Sequence, residues 1–202
     1  MISRRFNCIF VHIPKCGGTS IENAFWTPEE RTEANLCKGF LDGHYNAYQT
    51  GGLQHLKAYQ IQHFVGRSAF SAFFKFSVVR NPYSRAISQF TYMSKREDLR
   101  AFIGMNQGDD FSTYLKKIKR RSHVQWEPQI SFINGFDGKR LVDQLIKLEN
   151  IRDEWPVLAE VSSATLGQFA QIAVELHGLS RVVTPAGHAT IVAGLSKLAT
   201  TH

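Results

Sequence analysis

The stretch IFVHIPKCGGTS, residues 9–20, decides how the chain folds, because it joins an apolar run to a glycine-rich turn. Residues 6–13 are apolar enough to predict a buried strand. Pro14 and the two glycines end that strand, and Thr19 or Ser20 is predicted to cap the amphipathic helix that follows. A strand, a glycine-rich turn and a helix in this order are typical of a phosphate-binding loop, although an ordinary tight bend remains an alternative.

The turn differs from an ATP-binding loop in the position of its lysine. Lys15 precedes Gly17 and Gly18, whereas the pattern G-x-x-x-x-G-K-[ST] places the lysine after the last glycine, next to a hydroxyl residue that holds Mg²⁺. The second predicted strand also ends in Arg80 and not in an acidic residue that could bind the metal. The loop therefore predicts an anion site of backbone N–H, hydroxyl and ammonium groups, and it fits a metal-dependent NTPase poorly.

A second strand followed by a helix begins at residue 73. The segment FFKFSVV, residues 73–79, predicts another buried strand, and Arg80 follows it directly. Asn81 is expected to cap the next helix, with Pro82 as its first residue. Like residues 9–20, this segment therefore consists of a strand whose end leads into the N-terminus of a helix.

The helix after this strand has an apolar face and a polar face. The spacing of Ala86, Phe90 and Met93 predicts that these three residues are buried together. Ser88 lies two turns into the same helix, while Arg80 stands at the strand end before it. A guanidinium fork and a hydroxyl group can hold a phosphate, and this phosphate would be separate from the one in the first loop.

The remaining segments alternate between predicted helices and strands. A helix is predicted over 55–63, another over 111–120, a third strand within 140–150, and helices over 151–159 and 165–177. This alternation predicts a parallel sheet in a single P-loop-like three-layer α/β/α domain that spans residues 1–202. Residues 27–54 are expected to form a surface excursion that borders the substrate. Ligands of such sheets bind beyond the carboxyl ends of the strands, where Lys15 and Arg80 both fall.

Composition limits the partners and the compartment. The net charge of +7 suits an anionic partner, and the basic residues at 116–121 are typical of a solvated helix end. With three cysteines the chain fits a reducing compartment, and no apolar segment reaches the length of a membrane span, so a cytoplasmic location is expected. Cys8, His12 and Cys16 are too far apart along a strand to bind one zinc ion.

The two motifs together resemble those of a known family. PKCGGTS at 14–20 and VVRNPYSRAISQF at 78–90 are similar to the nucleotide motifs of sulfotransferases, above all bacterial sulfotransferase-family proteins and the Golgi carbohydrate branch that includes heparan sulfate 2-O-sulfotransferase. The resemblance covers about residues 8–155. It implies transfer of a sulfuryl group from 3′-phosphoadenosine 5′-phosphosulfate (PAPS) to a hydroxyl of a carbohydrate, lipid or small metabolite, without a required metal. The residues that it implies at the 5′-phosphosulfate are Lys15, Cys16, Gly17, Gly18, Thr19 and Ser20, and those at the 3′-phosphate are Arg80 and Ser88.

Two residues are candidates for the chemistry of this transfer. His55 lies between the two motifs, where the carbohydrate branch carries its catalytic histidine, and its ordinary pKa suits a general base. Lys15 is the candidate for stabilising charge on the leaving phosphate. A surface histidine at the start of a helix is the alternative for His55, with Glu127 as the reserve base. Lys57 could support the transferring group or be an exposed helix lysine.

The acceptor side is less well defined by the sequence. His123, Trp126 and Gln129 lie in a loop that resembles the family's W-x-P-Q segment, and they are candidates for lining the acceptor or nucleotide pocket, with a packed loop as the alternative. Residues 178–202 depart from the aromatic C-terminal helix of the family. Two further functions therefore stay open: a non-catalytic module that binds PAPS or its product PAP, and a P-loop small-molecule kinase. Neither a nucleic acid nor a membrane span is expected.

Overall fold

The computed structural model describes residues 1–39 and 52–154, which form a mixed α/β fold around a four-stranded sheet. Its strands are β1 (Ile2–Ser3), β2 (Cys8–Val11), β3 (Phe74–Val79) and β4 (Gln144–Lys147). The strands lie in the order β1-β2-β3-β4, with β1 antiparallel to β2 and the other two pairings parallel. The predicted helix 165–177, the segment 178–202 and residues 40–51 of the excursion lie outside the described residues.

Seven helices lie within the described residues. They are α1 (Gly18–Phe25), α2 (Ala58–Val65), α3 (Arg67–Ala72), α4 (Pro82–Ser94), α5 (Glu97–Ile103), α6 (Phe111–Ile118) and α7 (Ile130–Ile133). Short 3₁₀ turns lie at Glu33–Asn35, Leu53–His55, Val124–Trp126 and Leu148–Asn150. Within the described residues no helix combines the length and apolarity that crossing a membrane requires.

The central strands β2 and β3 are buried, and most of their side chains are apolar. All four residues of β2 are buried, and Phe76 and Val78 of β3 are almost inaccessible to solvent. Such a continuous apolar run is typical of parallel strands that are covered on both sides. The rings of Phe10 and Phe76 stack at a centroid distance of 5.1 Å, and Phe25 of α1 packs on Phe76 at 5.5 Å. This cluster fixes α1 against the sheet.

A second apolar cluster joins α4, α5 and α6 away from the sheet. Its buried members are Met93, Leu99, Ile103, Met105 and Tyr114. Phe90 contacts the ring of Tyr114 at a centroid distance of 5.5 Å. Helix α4 therefore belongs to both parts of the fold, since its N-terminus follows β3 and its C-terminal half packs against the other two helices.

The structure confirms the three strands that the sequence predicted, and it corrects one helix cap. Thr19 or Ser20 was expected to cap α1, but both lie inside its first turn, because the helix begins at Gly18 directly after Gly17. The predicted cap of α4 is confirmed, since the side-chain oxygen of Asn81 accepts from the backbone N–H groups of Tyr83 and Ser84. The edge strand β1 and the short helices α3, α5 and α7 had no prediction.

The buried face of α4 shares only Met93 with the predicted face. Arg85, Gln89 and Met93 form its buried stripe, whereas Ala86 and Phe90 are only half-buried. The prediction chose Ala86 and Phe90 because it followed the spacing of apolar residues alone. A buried guanidinium is tolerated where backbone carbonyls accept its hydrogen bonds, as described below for Arg85.

Candidate functional site

Both candidate anion sites lie at the carboxyl ends of neighbouring strands. Strand β2 ends at Val11 and β3 at Val79, and their parallel pairing places Val11 opposite Ser77. Lys15 follows the first strand and Arg80 the second, and the guanidinium of Arg80 donates a hydrogen bond to the backbone carbonyl of Lys15 at 3.2 Å. The structure thus brings together two motifs that are about sixty residues apart in the chain.

The first loop has the backbone geometry of an anion site. Gly17 has a φ of 82°, in the left-handed region that favours glycine, and it leads directly into α1. Lys15 also has a positive φ, 67°, which costs about 1 kcal/mol for a residue with a Cβ atom. Thr19 is exposed and Ser20 is buried. Since the first N–H groups of a helix have no intrahelical acceptor, α1 directs donors and the positive end of its dipole toward this loop.

Lys15 and Arg80 place two positive charges close together. Burial lowers the pKa of Lys15, and the neighbouring charge of Arg80 lowers it further. Burial also lowers the pKa of Arg80. Within residues 1–39 and 52–154 neither side chain pairs with a carboxylate, and the ammonium of Lys15 lies 4.2 Å from the ring centroid of Tyr92. Two adjacent cations without a carboxylate partner favour a multiply charged anion.

Gln129 holds the end of β3 in place. Its side-chain oxygen accepts from the backbone N–H of Arg80 at 2.9 Å, and its side-chain nitrogen donates to the carbonyl of Arg80 at 2.7 Å. The thiol of Cys16 donates to the same oxygen at 3.3 Å. Burial raises the pKa of Cys16 to about 12, so the thiol keeps its proton and acts as a donor. The amide of Gln129 therefore connects the first loop to the second strand end.

Arg85 is a structural centre of the site that sequence reasoning did not identify. From the buried stripe of α4 its guanidinium donates to three backbone carbonyls, those of Pro14 at 2.9 Å, Glu127 at 2.8 Å and Gln125 at 3.2 Å. It therefore joins the first loop to the loop that carries the acceptor-side candidates. The local pattern gave no signal for Arg85, since its buried stripe also contains the polar Gln89.

His55 is buried at the end of the 3₁₀ turn Leu53–His55. Its Nδ1 atom lies 3.2 Å from the backbone carbonyl oxygen of His12. Because a carbonyl oxygen only accepts, Nδ1 carries the proton and Nε2 is left as the basic nitrogen. Burial, and then the neighbouring His12, hold the pKa of His55 well below its ordinary value. At neutral pH the imidazole is therefore uncharged, which is the form that a general base needs.

His12 lies between the first loop and His55. Its Nδ1 is 2.9 Å from a carboxylate oxygen of Glu22, and its ring contacts that of His55 at a centroid distance of 4.4 Å. A Cβ atom on Gly18 would lie 1.9 Å from Nε2 of His12. Gly18 is thus required by packing, in addition to the close ligand approach that the sequence suggested. Sequence reasoning had assigned no role in the site to His12.

The candidates for lining the acceptor or nucleotide pocket, His123, Trp126 and Gln129, lie in a packed loop. His123 is buried, its Nδ1 accepts from the backbone N–H of Gln125 at 3.1 Å, and burial lowers its pKa to about 4. Its ring stacks on the half-buried Trp126 at a centroid distance of 4.8 Å. The indole N–H of Trp126 donates to the carbonyl of Arg121 at 2.9 Å. Of these aromatic side chains, Trp126 is the more accessible to a ligand.

The last two candidates are Ser88, which lies on α4, and Lys57, which forms an ion pair. Ser88 is half-buried on α4, next to the buried Gln89. Lys57 forms an ion pair with Glu127 and joins the segment after His55 to the acceptor-side loop. The carboxylate of Glu127, the reserve candidate for the base, is therefore paired with an ammonium group. Lys57 is not a free surface lysine, which was the alternative for it.

Comparison with known proteins identifies a family. The model of a family described as "Sulfotransferase family" matches residues 1–137. The matched range contains the first loop, His55, β3, α4 and the loop of Trp126 and Gln129. A search of curated proteins and a search of solved structures give no match.

Proposed function

Because this chain belongs to the sulfotransferase family, we propose that it transfers a sulfuryl group from PAPS to an acceptor hydroxyl. The acceptor classes that we consider are a carbohydrate, a lipid and a small metabolite. The mixed α/β fold with parallel central strands agrees with a P-loop-like three-layer domain as its scaffold. Membership of the family supports sulfuryl transfer, and the choice of PAPS as donor rests on the two anion sites.

The contact between Arg80 and Lys15 is the observation that carries this proposal. It joins two cationic strand ends that belong to different motifs, at a hydrogen-bond distance of 3.2 Å. A ligand with a single phosphate needs only one such site. PAPS carries a phosphosulfate on its 5′ carbon and a phosphate on its 3′ carbon, and it therefore matches two neighbouring anion sites.

We assign the 5′ end of the donor to the first loop. The N-terminus of α1 supplies backbone donors around Gly17 and Gly18, and Thr19 supplies an exposed hydroxyl group. Cys16 lies in the loop, where its thiol donates to Gln129, and Ser20 is buried in the first turn of α1. Their contribution is to hold the loop in the conformation that accepts the anion.

We assign the 3′ phosphate to Arg80 and Ser88. The guanidinium of Arg80 uses one N–H group on the carbonyl of Lys15, and the others can donate to a phosphate. Ser88 adds a hydroxyl group from the half-buried face of α4. Gln129 holds the backbone of Arg80 on both sides, which keeps the guanidinium in position.

His55 and Lys15 would divide the work of the transfer. Nε2 of His55 accepts the proton of the acceptor hydroxyl, while the oxygen of that hydroxyl forms a bond to sulfur. The bond between sulfur and the bridging oxygen of the 5′-phosphosulfate breaks, and the electron pair stays on that oxygen. Lys15 and the donors of α1 stabilise the negative charge that gathers there. The products are a sulfated acceptor and PAP, and no metal ion takes part.

We place the acceptor between His55 and the loop that carries His123 and Trp126. The half-buried indole of Trp126 can contact a ligand, while His123 supports it by stacking. The ion pair of Lys57 and Glu127 would border this side of the site.

Isothermal titration calorimetry with PAP and with ATP–Mg²⁺ tests the donor. We expect PAP to bind without metal with a dissociation constant of roughly micromolar order, and more tightly than ATP–Mg²⁺. Arg80→Ala should weaken PAP binding, whereas the exposed Arg67→Ala should leave it unchanged. Tighter binding of ATP–Mg²⁺ than of PAP would favour a P-loop kinase and reject the assignment.

A transfer screen tests the chemistry. Wild type is incubated with PAPS and hydroxyl acceptors of the three classes, and products are detected by the mass gain of a sulfuryl group. His55→Ala should lower kcat by about 10²-fold or more, and the exposed His63→Ala serves as the control. Binding of PAP without transfer to any acceptor would indicate a non-catalytic module. Undiminished transfer by His55→Ala would remove His55 as the base.

A further inference from the structure

His12, the residue directly after β2, is enclosed by three groups of different kinds. The carboxylate of Glu22 lies 2.9 Å from its Nδ1, and the ring of His55 lies against its ring at 4.4 Å. On a third side Gly18 leaves no room for a Cβ atom, which would lie 1.9 Å from Nε2. His12 itself is only 6% exposed. These neighbours restrict where its imidazole can lie.

The same residue determines the state of His55 in two ways. The backbone carbonyl of His12 accepts from Nδ1 of His55 and thereby selects the tautomer with a free Nε2. The side chain of His12 meets the ring of His55 with their planes at 60° and restricts its rotation. Tautomer and orientation decide whether a neutral imidazole can take a proton from a bound hydroxyl group.

The groups that hold His12 belong to α1. Gly18 is the first residue of that helix, and Glu22 lies one turn further along it. The N-terminus of α1 is also the part of the structure that presents donors to the candidate anion site. His12 is therefore packed between the anion-binding helix on one side and His55 on the other.

We propose that His12 is a positioning residue for His55, held in place by Gly18 and Glu22. Its backbone carbonyl fixes the tautomer of the His55 imidazole, and its side chain fixes the orientation of that ring. Because His12 packs against α1, both depend on the position of this helix. This inference rests on the proposed role of His55 as general base, and it is independent of the acceptor class. His12 itself does not touch the reacting atoms.

The first experiment reads the tautomer directly, without catalysis. Long-range ¹H–¹⁵N spectra of the imidazole groups distinguish protonated from unprotonated nitrogens, and His55 is assigned by the loss of its signals in His55→Ala. In wild type we expect one tautomer, with the proton on Nδ1. Because Glu22→Gln and His12→Phe keep the backbone carbonyl of residue 12, we expect both variants to keep this tautomer but to broaden the His55 signals as its ring becomes mobile. The exposed His63→Gln should leave the His55 signals unchanged.

The second experiment separates positioning from folding. We expect Glu22→Gln and His12→Phe to lower kcat at least about tenfold, while KM for PAPS stays within about twofold of wild type. A purely structural role would instead lower the urea midpoint and leave kcat per folded molecule unchanged, and that result would overturn the proposal. Glu22→Gln preserves the size of the side chain, so it provides a folded variant even if His12→Phe is unstable.

A double mutant tests the packing that holds His12. Gly18→Ala alone should lower the urea midpoint strongly, since its Cβ atom would clash with the imidazole. In the His12→Ala background the space is free, and the same substitution should cost much less. Equal losses in both backgrounds would contradict the claim that Gly18 holds His12.

The outcomes distinguish this proposal from the proposed function. If wild type transfers no sulfuryl group, the proposed function fails, and the widths of the His55 signals still decide whether His12 positions His55. If both variants keep the wild-type His55 signal widths and the wild-type kcat, His12 is not a positioning residue, and the proposed function stands.

Discussion

The side chain of Gln129 makes both backbone hydrogen bonds of Arg80, accepting from its N–H at 2.9 Å and donating to its carbonyl at 2.7 Å. A neighbouring strand would use its own backbone for these two bonds. A single amide thus continues the pairing of β3 one residue beyond the sheet. Arg80 is held at its backbone while its guanidinium stays available for a ligand.

Gln129→Ala should weaken both the fold and the second anion site. The substitution leaves the N–H and carbonyl groups of Arg80 and the thiol of Cys16 without this partner. We expect a loss of about 1–3 kcal/mol in the free energy of unfolding, measured by urea denaturation, together with weaker binding of PAP. Gln107→Ala, at an exposed glutamine, is the matched control and should change neither quantity.

Lys15 has a proposed functional charge and a strained backbone. The substitutions Lys15→Gly and Lys15→Ala distinguish the effects of these two properties. Its φ of 67° suits glycine, so Lys15→Gly should be more stable than Lys15→Ala by about 1 kcal/mol. Both variants lack the ammonium group and should lose sulfuryl transfer equally. Urea denaturation and a transfer assay measure the two effects, and equal stability of the two variants would argue against the left-handed conformation at this position.

Arg85 should tolerate no replacement by lysine. Its guanidinium reaches three carbonyls from two different loops, and a single ammonium group cannot meet all of them in that geometry. We expect Arg85→Lys to lower the free energy of unfolding by about 2–3 kcal/mol. Arg67→Lys at the exposed start of α3 should have no measurable effect. A stable Arg85→Lys protein would show that these contacts contribute little.

Stability should fall with acid because two buried histidines resist protonation. Burial lowers the pKa of His123 from 6.5 to about 4 and holds that of His55 well below 6.5. The unfolded chain therefore binds more protons than the native state below pH 6.5. The contribution of His123 to stability is complete above that pH and is lost as the pH falls toward about 4.

Urea denaturation at pH 7 and at pH 5 measures this dependence. His123→Asn should reduce the difference between the two pH values, since its oxygen can accept from the N–H of Gln125 without titrating. His63→Asn, at an exposed histidine, should keep the wild-type difference. If His123→Asn has the full wild-type dependence, the acid sensitivity arises elsewhere.

Local patterns were sufficient to predict the elements that carry the candidate site. The apolar runs before Pro14 and Arg80 gave β2 and β3, and Asn81-Pro82 gave the start of α4, because these signals involve only residues near in sequence. The same signals failed for β1, whose two residues exist as a strand through pairing with β2.

The connections within the site could not be predicted, because they join distant parts of the chain. Nothing near Gln129 indicates that its amide binds the backbone of Arg80, and nothing near His12 indicates that its carbonyl selects the tautomer of His55. Such side-chain bonds depend on how the loops fold back over the sheet. The buried position of Arg85 was missed for the same reason, since its acceptors lie in two other loops.

The parallel register of β2 and β3 has a consequence for how this protein can diversify. The register sets the spacing of the two strand ends, and the spacing does not depend on the length or composition of the chain between them. Residues 27–54 lie in that interval and are where we expect acceptor recognition. Natural or designed substitutions in this segment could therefore change acceptor recognition, while the distance between the two strand ends of the donor site stays the same.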